Sequence, residues 1–464
     1  MKPIAANRLA FLIAGAFFME FLDGSIIATA LPRMADSLGG TAIALHVGIT
    51  AYLLTVAVFI LPGGWVAERF GPRIVFTSAM ATFIFGSMLC GLAESVPQFV
   101  AARVLQGFGG AMMVPVGRLI VLRTTEKSKL MQSIAMLIWP ALTAPLLGPP
   151  LGGFLSEHAS WRWIFFINLP LGAVGLSLAF LMVPKIDLGT ARPFDWTGFL
   201  FGALMLAGIT ASLDQFGNHE APRGIPLALA AVGMVFTVLF VRHIHRHAHP
   251  LVNPATFKID TFRLVMFGGT LTRMIISAVP FILPLMFQLG FGLPATDAGL
   301  LVLALFAGNL GIKPATTPIL KRFSFRRVLL VNAVLQAATL FACALLTPQT
   351  PTPVVLVLLL ISGASRSMQF TCLSTLAFAD VPQAEMPSAN TLFSVSMQLA
   401  LGLGVAVGAL ILQAAGSVLG DSGTPTIADF HATFVVMGVL MLLTMVDTLQ
   451  LHPSAGSNLA QRKA

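Results

Sequence analysis

Charge is what this chain has least of. Of its 464 residues only 10% are Asp, Glu, Lys or Arg, whereas 56% are hydrophobic. No soluble domain holds that balance. Cysteine is nearly absent: Cys90, Cys343 and Cys372 stand far apart in apolar runs. They make neither a disulfide framework nor a metal knuckle. No G-K-[ST] phosphate loop occurs, so direct driving by ATP is not expected. Long polar tails are also missing, which argues against an appended sensor domain, and nothing suggests an enzyme or a cofactor. The surplus of positive charge, +9, does not point to nucleic acid. In a chain this apolar, basic loops mark the cytoplasmic face of a bilayer.

What the chain has in abundance is apolar runs of bilayer length. A span needs roughly 20 apolar residues. The sequence predicts an all-α polytopic membrane protein with fourteen such segments, at 8–31, 42–66, 73–93, 97–122, 131–155, 161–182, 196–213, 225–243, 264–290, 296–319, 326–346, 353–378, 388–415 and 430–449. The first resembles a signal peptide, but Glu20 and Asp23 interrupt it and it is too long for an h-region, so it is expected to stay. Cations alternate with the loops. Arg69 and Arg73, then Arg123, Lys127 and Lys129, then Lys185 and Arg192, then Arg242 and Arg246, then Lys321, Arg322, Arg326 and Arg327 fall on one side. Asp36, Glu94, Glu157, Asp214, Glu220, Asp297 and Asp421 fall on the other. The positive-inside rule then puts both termini in the cytoplasm.

An internal echo supports a repeat. "ERFGPRIVF" (68–76) and "KRFSFRRVL" (321–329) are both short basic turns between long spans. They divide the chain into a six-helix bundle at 1–185, two inserted helices with a linker at 186–263, a second six-helix bundle at 264–450 and a tail at 451–464. Two such halves related about the membrane normal are a transporter arrangement.

Four motifs carry a family resemblance. "GGWVAERFGPR" (63–73) resembles motif A of the major facilitator superfamily, with Glu68 where an Asp is usual and Ile74 where many members have a second cation. "RVLQGFGGAMMVP" (103–115) resembles motif B, "LLGPPLGGFL" (146–155) the antiporter motif C, and "FLDGSIIATALP" the first-span signature of the fourteen-span drug:proton antiporters. "GGAMMVPVGRLIV" (109–121) and "GPPLGGFLSEHASWRWIFFINLPLG" (148–172) resemble most the MdtD-type multidrug transporters of that subfamily, and the resemblance covers essentially the whole chain. The resemblance implies a major facilitator fold and proton-driven antiport across a bacterial inner membrane, by a monomer whose partners are a small-molecule substrate, protons and lipid. In motif A, Gly64 and Gly71 allow tight packing and a sharp turn, and Glu68, Arg69 and Arg73 are expected to latch helices together; a solvated basic turn is the plainer reading. In motif C, Gly148, Gly152 and Gly153 let helices approach, and Pro149 with Pro150 is expected to kink the helix.

The intramembrane charges are costly and need a reason. At 1.5 Å per residue, Asp23 lies ~12 Å inside Leu31 and Arg103 ~9 Å inside Pro97, at nearly one depth. The resemblance places their spans in the same half. An Asp23–Arg103 pair would offset both burials and would switch on protonation, and Glu20, on the same face three residues earlier, would favour holding a proton there. A static structural pair is the alternative. The second half carries Arg273, Lys313 and Arg366 inside spans, with no intramembrane acid expected in that half to balance them, and Arg118 enters from span four. These four are candidate substrate contacts; snorkelling is the bland alternative. The family says multidrug export. The charges say an organic anion, a polycarboxylate or its metal chelate. Both readings stand. No metal site is expected. "RHIHRHAHP" (242–250) puts His243 and His247 at helical spacing with no acid near in sequence, and it reads as an interfacial basic patch.

Overall fold

The computed structural model describes residues 6–39, 42–185, 193–216, 224–419 and 425–456. Among them every regular element is helical, as an apolar chain that must satisfy its own backbone requires. The helices are α1 (Ala6–Ile26), α2 (Leu31–Leu38), α3 (Ala42–Phe59), α4 (Gly63–Phe70), α5 (Pro72–Leu92), α6 (Val96–Thr124), α7 (Lys127–His158), α8 (Trp163–Phe166), α9 (Asn168–Met182), α10 (Trp196–Phe216) and α11 (Gly224–Arg246). They continue as α12 (Asp260–Met266), α13 (Gly268–Leu285), α14 (Ala295–Gly311), α15 (Lys313–Arg322), α16 (Phe325–Cys343), α17 (Thr352–Leu376), α18 (Met386–Leu419) and α19 (Ile427–Gln450).

By length and apolarity eleven helices among the described residues can cross a bilayer, and thirteen if each bent pair is one span. Two of the segments expected as spans are bent. The segment 42–66 breaks between α3 and α4, which meet at 60°, at the "ILPGG" run. Segment 296–319 breaks between α14 and α15 at 46°, just before Pro314. Proline removes a backbone donor and crowds the preceding turn, so each break falls where the ladder is weakest. The fifth expected span, 131–155, lies in α7, part of whose middle has side chains outside the described residues.

The chain forms two compact units, Met1–Thr256 with Pro382–Val395, and Phe257–Val381 with Ser396–Ala464. The first ten residues of α18 therefore belong to the first unit. There Gly64 of α4 sits so close to Pro387 and Thr391 that a Cβ would lie 2.7 Å from the Thr391 hydroxyl, and Asn390 donates to the Pro115 carbonyl of α6 at 2.8 Å. In the first unit α5 packs on α6, α1 on α7, and α10 on α11; in the second, α14 packs on α17 and α16 on α19. The second unit's apolar core gathers Ile275, Ile282, Phe287, Leu305, Leu359 and Phe430 among others, all buried.

Candidate functional site

The first unit buries a polar network in this apolar setting. Asp23 of α1 is 1% exposed and Arg103 of α6 is fully enclosed. The guanidinium Nη1 donates to Asp23 Oδ2 at 2.7 Å and to Gln106 Oε1 at 2.6 Å. Gln106, one turn along α6, donates its Nε2 to Asp23 Oδ1 at 2.8 Å. Asn168, at the start of α9, donates to the same oxygen at 2.9 Å and to Ser87 Oγ of α5 at 3.0 Å. Tyr52 of α3 lies face-on beneath the guanidinium, 4.1 Å from ring centroid to Cζ. Five helices thus converge on one ion pair. Its carboxylate accepts from three side chains, the satisfaction that a buried charge requires.

Glu20 is placed differently. It sits one turn before Asp23, half-buried, and its Oε2 is enclosed without a protein donor. Its charged neighbours are Asp23 and Arg118. Gly110 of α6 faces both Glu20 and Tyr52; a Cβ there would lie 3.1 Å from the Tyr52 hydroxyl and 3.5 Å from the Glu20 carboxyl. Arg118, two turns further along α6, donates to Ser394 Oγ at 3.0 Å and covers the Phe393 ring at 5.0 Å.

The second unit holds its cations apart. Arg273 of α13 is 2% exposed and donates Nη2 to the Val265 carbonyl (3.0 Å), Thr270 Oγ1 (2.9 Å) and Ser396 Oγ (2.9 Å). Lys313, the first residue of α15, donates to Thr371 Oγ1 of α17 at 2.8 Å. Arg366 of α17 lines a small cavity with Gln336, Thr339 and Ser362, walled by Ile275, Ile276 and Val279. Its Nε and Nη1 are enclosed and meet no protein acceptor, and Gln336 Oε1 in the same cavity meets no donor. An acid does lie in a span of this unit: Asp447 of α19 packs against Gly268 at the start of α13, where a Cβ would be 2.4 Å from its Oδ2. It falls within the expected span 430–449, so the expectation that no intramembrane acid lies in this half is corrected.

The motif residues divide by what they touch. In motif A, Gly71 has φ +84° and accepts the chain's turn from α4 into α5, a conformation natural to glycine. Arg73 donates to the Phe180 carbonyl of α9, Arg69 is exposed, and Glu68 lies in the field of Arg123 at the end of α6. In motif C, Gly148 and Gly152 press on α1: a Cβ would lie 2.2 Å from Ser25 Oγ at the first and 2.3 Å from the Ile26 carbonyl at the second. Gly153 faces open space and Pro150 is exposed. The side chain of Pro149 lies outside the described residues. The helix runs on from Lys127 to His158 through the proline pair.

The histidine run is corrected in one respect. An acid is near it after all, brought from 48 positions earlier in the chain. Asp195, 4% exposed, accepts from or shares a proton with His243 Nε2 at 2.8 Å, and also accepts from the backbone N–H of Gly198 (2.8 Å) and Leu251 (3.1 Å). Burial pushes this carboxyl up, but the Gly198 N–H, His243 and the Leu251 N–H outweigh it and hold it below the usual carboxylate range.

Sequence reasoning missed Gln106, Asn168, Tyr52 and Asp195. One signal was readable: Gln106 is three residues after Arg103 and so shares its face. Asn168 and Tyr52 are single polar positions in apolar runs, and only the fold brings them to Asp23.

Packed apolar helices of bilayer length, a buried ion pair and glycine-mediated helix contacts define a polytopic membrane protein. The Major Facilitator Superfamily profile matches residues 13–405 and 265–462, and the chain belongs to that superfamily. Among curated proteins it is 37% identical over 460 residues to one from Cronobacter sakazakii, covering 97% of this chain and 96% of that one. It is 36% identical over 448 residues to one from Pectobacterium atrosepticum, covering 95% of each. Both are named "Putative multidrug resistance protein MdtD". Among solved structures it resembles the human organic anion transporter MFSD10 (TETRAN), with a TM-score of 0.67 at 14% identity over 96% of this chain and 100% of that one. It also resembles the proton:xylose symporter XylE, with a TM-score of 0.65 at 14% identity over 97% of each chain. At that identity the two structures speak for the fold alone.

Proposed function

We propose that the protein is a proton-coupled antiporter that exports small organic solutes across the bacterial inner membrane by alternating access, multidrug-type as its relatives are named. It works as a monomer without a cofactor, with both termini in the cytoplasm. The observation that carries this reading is the contrast between two carboxyl groups one turn apart. Asp23 already accepts from Arg103, Gln106 and Asn168, so its side chain is held in place. Glu20 has an enclosed oxygen without a donor. A proton can therefore reach and leave that oxygen without breaking a hydrogen bond to the protein, which it cannot do at Asp23. Glu20 takes and releases the proton, and Asp23 with Arg103 is the fixed pair that positions α1 against α6 and senses the change. This reverses the weights that depth alone assigns, because depth does not count hydrogen-bond partners.

The test is transport in proteoliposomes under an imposed pH gradient. Glu20→Gln should abolish gradient-driven accumulation while leaving substrate exchange. Unchanged gradient-driven transport in that variant would sink the assignment.

A second reading, export of an organic anion such as a polycarboxylate or its metal chelate, is favoured by Arg366, whose enclosed Nε and Nη1 meet no protein acceptor. A carboxylate would satisfy such a fork by charge-assisted hydrogen bonds. Offering a lipophilic cation and citrate-like anions in parallel decides between the two. Loss of anion transport in Arg366→Ala and Lys313→Ala supports the anion. Cation export that survives or improves in both rejects it.

A further inference from the structure

The inserted hairpin of α10 and α11 takes no part in that reading, yet one end of it gathers groups of a recognisable kind. His243 and His247 are one helical turn apart at the end of α11, and the turn continues past Arg246, since the His247 N–H donates to the His243 carbonyl at 2.9 Å. Their rings stack at 4.8 Å between centroids, 22° from parallel. Asp195 comes to them from the residue before α10. One ligand-capable atom from each of Asp195, His243 and His247 lies within 4.8 Å of the others.

We propose that Asp195, His243 and His247 form a binding site for a divalent transition-metal ion of zinc-like preference. The donor set, two imidazoles and one carboxylate, suits such an ion, and His-x3-His on one helix face is a ligand spacing of zinc sites. The carboxylate is already fixed by the Gly198 and Leu251 backbone donors, which orients it as an outer hydrogen bond orients any ligand. A tetrahedral ion at ~2.0–2.1 Å from each donor needs donor atoms ~3.4 Å apart. His247 is exposed and free to close that gap by a rotamer change. Arg242 and Arg246 form their own stripe one residue, or ~100°, around the helix from the two histidines, so their charge weakens the ion's hold without occupying its place. Three protein ligands leave a fourth position for water. The bound ion would clasp the start of α10, the end of α11 and the segment leading to Leu251.

The experiment uses the full chain in detergent, purified without a polyhistidine tag and stripped with a chelator. Titration with Co²⁺ should bring up the visible absorption of a low-symmetry nitrogen–oxygen site at one ion per chain, and Zn²⁺ should displace it. His247→Ala and Asp195→Asn should each weaken Zn²⁺ binding by at least ~10-fold, since even the loss of a ligand's outer partner costs ~10–100-fold, while His245→Ala, whose Nδ1 is engaged with the Val241 carbonyl, should not. Gel-filtration profiles matching the parent keep the comparison to folded protein. No saturable Co²⁺ band, or a band that survives both His243→Ala and His247→Ala, overturns the proposal.

Discussion

A buried carboxylate that accepts three hydrogen bonds is expensive to disturb from either side. Arg103→Ala strands Asp23 in an enclosed site, and losing one partner of a buried pair costs ~3–5 kcal/mol. Asp23→Asn keeps the shape and an acceptor but leaves the guanidinium uncompensated. Both variants should melt markedly lower than the parent in a thermal-stability assay in detergent, and Glu20→Gln, which removes no partnered group, should melt close to it. Equal loss in all three would mean that Glu20 also carries a structural contact. Arg273 belongs to the first class. Its Nη2 is shared among Val265, Thr270 and Ser396, so Arg273→Ala should lower stability as well as transport. A drop in substrate affinity alone, with an unchanged melting temperature, would place Arg273 on the substrate instead. The Asp23–Arg103 pairing could be read from the chain because both are charged and depth along a helix is simple counting. Gln106 was within reach, three residues after Arg103 on the same face; Asn168 and Tyr52 could not be read as partners, because a neutral polar residue in an apolar run carries no depth requirement of its own.

Between elements, glycine sets the closest approaches. Gly148 and Gly152, four residues apart, line the face of α7 that meets α1, whereas Gly153 looks away from it. In the second unit Gly308 and Gly363 do the same for α14 and α17, where a Cβ would lie 2.0 Å from the Leu360 carbonyl and 1.8 Å from the Leu305 carbonyl. Backbone cannot yield as a side-chain tip can, so overpacking here costs ~1–3 kcal/mol or more. Gly152→Ala and Gly363→Ala should therefore reduce the yield of folded protein and its melting temperature, and Gly153→Ala should leave both unchanged. A neutral Gly152→Ala would show that α7 can shift on α1 without loss. The sequence marked all three motif C glycines alike; only the direction of each Cα–Cβ vector separates them, and that depends on helix rotation. The bends at 60° and 46° were hidden for a related reason. A hydropathy window averages across Pro62 and Pro314, and an apolar run reads the same whether straight or broken.

At the scale of the whole molecule, the side of the membrane on which each loop emerges follows from charge. Apolar length predicts how many segments can cross, but the positive-inside rule alone assigns their direction, and it acts through Lys and Arg in short loops. Glu126 sits between α6 and α7 beside Lys127 and Lys129, whereas Glu94 sits between α5 and α6 with no cation adjacent. One span, α6, separates the two positions. Cysteines introduced at Glu94 and at Glu126, in a background with Cys90, Cys343 and Cys372 replaced, should therefore label from opposite sides. A membrane-impermeant maleimide should reach the first in intact cells and the second only in inverted vesicles. Labelling of both from one side would mean that α6 does not cross. It would then also move Asp23, Arg103 and Glu20 out of the bilayer, where neither the cost of their burial nor a role in proton coupling would survive.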